Sequence, residues 1–137
     1  MDINTMLIGP YILKVYRVRY FIYLDFFSPD ELMRLVRFPL GPKEFDELDT
    51  MLRDNNFWGI SGILKTPILN ASMDRYSLTI TGAHDFPCEE DDYLFKIDSI
   101  NPHNGEYYTI ISTMVSVEDL NEFRRCLLNI VSGGYIK

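Results

Sequence analysis

His84 and Cys88 stand four positions apart and are followed at once by Glu89, Glu90, Asp91 and Asp92. An imidazole, a thiol and a run of carboxylates are donors from which a metal site or a thiol–imidazole pair can be built. A structural metal site needs a second Cys/His pair, and a nucleophile needs a recognisable local context. Neither occurs, so no metal ligand, catalytic residue or cofactor is assigned, and the stretch reads as a polar loop. His103, between Pro102 and Asn104, belongs to a turn where an imidazole is simply solvated. The glycine pairs Gly59/Gly62 and Gly133/Gly134 lack the spacing and the following Lys-Ser/Thr of a phosphate-binding loop. Paired carboxylates could act as general acid and base, but the chain holds 20 Asp/Glu and no spacing selects a pair.

Charge distribution is more informative. Residues 1–43 hold six Lys/Arg against four Asp/Glu, a balance of +2, and residues 44–137 hold seven against sixteen, a balance of −9; together they give the chain's −7. Such a field repels phosphate backbones and steers basic partners inward, which disfavours direct nucleic-acid binding. The acids gather in two places, Asp46, Glu47 and Asp49 on a helical stretch and Glu90, Asp91 and Asp92 in a loop. These six are the candidate partner-binding residues.

In size and acidity the chain resembles bacterial toxin-immunity proteins. The resemblance implies a compact cytoplasmic protein that neutralises a basic partner, above all a nuclease toxin, with carboxylates occupying the place of substrate phosphates. Two alternatives stand beside it: a small hydrolase or transferase using carboxylates or His84, and a structural homo-oligomer joined through an exposed strand edge. Cys88 and Cys126 are too few for a disulfide framework, which suits a reducing compartment. The N-terminus lacks the basic and long apolar regions of a signal peptide. Between Lys14 and Asp25 the longest charge-free run is Tyr20 to Leu24, far short of the roughly 20 apolar residues of a membrane span.

The elements that must carry these groups follow from periodicity. A length of 137 residues, 47% hydrophobic and 24% charged, fits one globular domain over 1–137. The pattern predicts an α+β fold with a mainly antiparallel sheet, a central hairpin over 93–115, and three helices, over 29–37, 43–55 and 117–131, packed on it. The hairpin strands are rich in β-branched and aromatic residues and flank Asn101, Pro102, His103, Asn104 and Gly105. Residues 75–82 alternate as a half-buried strand, and 11–24 read as one long or bent strand. Ser28-Pro29-Asp30-Glu31 and Ser116-Val117-Glu118-Asp119 have the composition of helix starts. Trp58 reads as a core or rim anchor, and no internal repeat is visible.

Overall fold

Period-two burial organises most of the chain. The computed structural model describes residues 3–53, 61–66, 75–82 and 93–134, without the side chains of 61–63 and 132–134. Among the described residues there are two four-stranded antiparallel sheets, each followed by a helix. The first half comprises β1 (Ile3–Ile8), β2 (Tyr11–Val18), β3 (Phe21–Phe27), β4 (Arg34–Leu40) and α1 (Pro42–Arg53). The second comprises β5 (Ser61–Lys65), β6 (Arg75–Gly82), β7 (Tyr93–Ile100), β8 (Tyr107–Val115) and α2 (Val117–Gly134). In both sheets the strands are ordered as in the chain, so the halves repeat a topology that the residues do not repeat.

The α+β class agrees with the sequence reading, and the hairpin is β7–β8, with β7 inside its sheet and β8 at the edge. Three details differ. The single sheet is two sheets. The long strand over 11–24 is divided by a two-residue turn, because Val18 pairs with Phe21 across Arg19 and Tyr20. That turn moves the buried parity from odd positions, Leu13 and Val15, to even positions, Ile22, Leu24 and Phe26, which no single strand could do.

The helix expected over 29–37 is absent. The Ser28 hydroxyl accepts a hydrogen bond from the Met33 N–H at 3.1 Å, and the Asp30 carboxylate accepts one from the Leu32 N–H at 3.0 Å. These side chains close a hairpin loop instead of capping a helix, a competition open to any Ser/Asp pair. Residues 34–40 then run as edge strand β4, burying Val36, Phe38 and Leu40 in alternation. Pro39 is tolerated there because an edge strand can forgo a donor.

The two remaining helices begin with side-chain caps, one-sided at α1 and reciprocal at α2. The Glu44 carboxylate accepts the Gly41 N–H at 3.1 Å ahead of Pro42, and Ser116 and Asp119 exchange backbone-to-side-chain bonds, both at 3.1 Å. Helix α2 buries Val117, Leu120, Phe123, Leu127 and Ile130 as its periodicity requires. It lies against β1 and β2 of the first sheet, where the Asn4 amide donates to the Cys126 carbonyl at 3.1 Å. Phe95 on β7 meets Phe26 on β3 at 5.9 Å between ring centroids and Phe123 on α2 at 6.0 Å, joining both sheets and the helix in one core. None of the described helices is long and apolar enough to cross a membrane.

Candidate functional site

The inward faces of the sheets form the core, so the outward faces are where ligands can meet the chain. On the first sheet the strand register arranges the outward residues in rows. Ile3, Tyr16, Tyr23 and Pro39 form one row across the four strands; Thr5, Lys14, Asp25 and Arg37 form the next; Leu7, Ile12, Phe27 and Arg34 form the third. A row of charge thus lies between two rows dominated by aromatic and aliphatic groups. Adjacent outward rows are about 7 Å apart, two residues along a strand.

Asp25 is the anchor of this face. It is 4% exposed, yet belongs to the outward set, because the side chains around it close over it. Arg37 donates to both its oxygens, from Nε at 2.9 Å and from a terminal nitrogen at 3.1 Å, and the Tyr16 hydroxyl donates to Oδ2 at 2.9 Å. The Arg37 guanidinium also lies over the Tyr16 and Tyr23 rings, 5.9 and 5.6 Å from their centroids. A bidentate carboxylate below and two rings alongside hold this flat cation in one orientation. Burial pushes the Tyr16 hydroxyl up to about 12, with the bond to Asp25 and its negative charge adding to the effect.

Tyr16 and Tyr23 approach to 5.6 Å, and Phe21 extends the aromatic set 6.3 Å from Tyr23. At the other end Lys14 lies 4.9 Å above the Phe27 ring and pairs with Glu31 at 3.2 Å. Ile3 and Leu7 on β1 are each more than half exposed, at 52% and 59%. The second sheet has a related centre: Asp98 on β7, also 4% exposed, accepts from Thr109 at 2.6 Å and pairs with Lys96 at 3.7 Å, with Tyr107, 54% exposed, in the row on its other side. Thr79, Lys96 and Ser112 form the row beside it.

The acidic residues singled out by composition are not brought together into one described surface. Asp46 and Glu47 are exposed on α1, and Glu47 faces Lys43 at 3.9 Å. Asp49 is engaged within the fold, accepting from Arg124 of α2 at 2.8 Å and lying 3.5 Å from Arg53. Glu90, Asp91 and Asp92, with His84, Cys88 and Trp58, lie outside the described residues. His103 is exposed in the β7–β8 turn, its backbone N–H donating to Asn101 at 2.8 Å. Among the described residues no group of three or more His, Cys, Asp or Glu could hold a metal ion.

Periodicity over 11–24 does not show the outward face, because the turn at Arg19 and Tyr20 reverses the strand between Val18 and Phe21. The signal was present: Lys14 and Tyr16 alternate with buried Leu13 and Val15, and an aspartate interrupts the apolar run Phe21 to Phe27. No family model and no curated protein matches this chain. Among solved structures it is similar in fold to one described as crystal structures of Trypanosoma bruciei MRP1/MRP2, with a TM-score of 0.57 and 14% identity over 93% of this chain and 78% of that one.

Proposed function

We propose that the outward face of the first sheet binds single-stranded nucleic acid. The observation carrying this reading is the row pattern itself: Tyr16 with Tyr23 on one side, Phe27 on the other, and Lys14 with Arg37 between them. Aromatic rings on a solvent-facing sheet stack unpaired bases whatever their sequence, and interleaved cations follow the phosphates. The −7 of the whole chain bears on long-range steering, whereas residues 1–43, which contain this sheet, carry +2. Phosphate contacts here are few, so stacking dominates the affinity.

Fluorescence anisotropy with a labelled oligothymidylate and its duplex checks this. The wild-type chain should prefer the single strand. Tyr23→Ala should weaken binding by about fivefold to 150-fold, since stacking on one ring contributes about 1–3 kcal/mol. Because Lys14 and Arg37 are already paired with Glu31 and Asp25, counterion release is small and the logarithmic salt slope should be shallow, between 0 and about −2. No binding to the single strand, or equal binding by Tyr23→Ala, would overturn the proposal.

A second reading keeps the acidic surface as the interface. Residues 44–137 carry −9, and Asp46 and Glu47 project from α1, which favours an acidic module covering a basic protein such as a nuclease toxin. The two readings use different elements, so the residues that respond to a ligand separate them.

A further inference from the structure

The loop between β3 and β4 displays Leu32 and Met33 to solvent at 86% and 62% exposure. Two large apolar side chains at a loop tip are costly to leave in water, and they serve no core. The loop beneath them is nevertheless tightly tied. Ser28 and Met33 are joined by a backbone bond from the Ser28 N–H to the Met33 carbonyl at 2.8 Å, and the Glu31 N–H donates to the Ser28 carbonyl at 2.8 Å. The Ser28 hydroxyl donates to Asp30 at 2.5 Å, while Glu31 is held in the left-handed region at φ 64°. Lys14 connects this loop to the aromatic face, since the same ammonium contacts Glu31 and the Phe27 ring.

Charge decides what such a tip can meet. Bonds from the Ser28 hydroxyl and the Leu32 N–H hold the Asp30 carboxyl below its usual range, so it stays ionised beside Glu31 under the tip. Glu31 is paired with Lys14, so it is the Asp30 carboxylate that repels a phosphate backbone at the tip and leaves apolar base surfaces as the complementary part of a strand lying on the sheet. Leucine and methionine inserted between bases are known to open a stack.

We infer that Leu32 and Met33 form a wedge that enters between neighbouring bases of a strand bound on the first sheet and breaks their stacking. The inference rests on the proposed nucleic-acid reading of that sheet and adds a role to a loop outside the aromatic rows. The wedge acts where there is a stack to open. It therefore matters for oligoadenylate, whose bases stack strongly on one another, and little for oligothymidylate, whose bases do not.

The experiment compares the two oligonucleotides on the wild type and on the Leu32→Ser/Met33→Ser variant, whose changes are at exposed positions and spare the core. The wild type should bind both with affinities within about threefold, and the variant should lose about tenfold on oligoadenylate while keeping its affinity for oligothymidylate. An unchanged affinity ratio in the variant would overturn the wedge while leaving the aromatic face in place; a loop reserved for a protein partner gives this result. Failure of the wild type to bind either strand would remove the sheet reading and the wedge with it.

Discussion

Phe95→Ala should lower the free energy of unfolding by about 3–5 kcal/mol, the range for emptying a fully buried aromatic site. Phe95 has no exposed surface and is, among the described residues, the one ring in contact with aromatic partners on both the first sheet and α2, Phe26 at 5.9 Å and Phe123 at 6.0 Å. Its loss removes two ring pairs and leaves a void where three elements converge, which a sheet held by its ladder cannot readily close. In urea the midpoint should fall by roughly 2 M with the slope retained. Phe95→Leu, which refills most of the volume, should be considerably milder. A midpoint that hardly moves in Phe95→Ala would mean that the two sheets do not share this core.

Asp25→Ala should be the most damaging change on the outward face, destabilising by about 2–3 kcal/mol, because it leaves Arg37 and the Tyr16 hydroxyl without their common acceptor. The figure is set below that for a fully buried pair because the Arg37 side chain is 45% exposed and water screens the loss. Asp25→Asn, which keeps the volume and one acceptor, should cost less. The same contact is visible in Tyr16, whose hydroxyl is pushed up to about 12. A hydroxyl whose folded value lies above its unfolded value near 10 stabilises fully below pH 10, and that contribution is lost as pH rises from about 10 through about 12. An absorbance titration of tyrosinate should therefore show a late-titrating component that contains Tyr16 and responds to changes at Asp25. In Asp25→Asn it should move only part of the way back, since burial, the largest cause, remains while Asp25's charge is gone. A full return would assign the whole shift to Asp25.

Elements whose residues obey one period were legible in the sequence. β6, the β7–β8 hairpin, α1 and α2 fall close to their expected ranges because Leu78 and Ile80, or Leu120, Phe123 and Leu127, repeat at the spacing of their element and the caps are local. What failed depended on partners distant in sequence. Ser28 and Asp30 have the composition of a helix cap, and only the pairing of Phe26 with Val36 and Leu24 with Phe38 commits the following residues to a strand. Division of the strands into two sheets is a property of packing, carried by Phe26 against Phe95. The acidic residues were readable as charge, but a contact such as that of Asp49, whose carboxylate joins α1 to Arg124 of α2, needs the packing of the helices. The aromatic rows needed register, which places Tyr16 beside Tyr23 and Lys14 beside Asp25 across a turn that periodicity did not reveal.

Chemical-shift mapping on an isotope-labelled sample, titrated with oligothymidylate, tests the central claim most directly. The Tyr16, Tyr23 and Phe27 rings and the Arg37 side chain should shift progressively, with Asp46 and Glu47 on α1 unmoved. Shifts confined to α1, or none on the first sheet at saturating oligonucleotide, would contradict it.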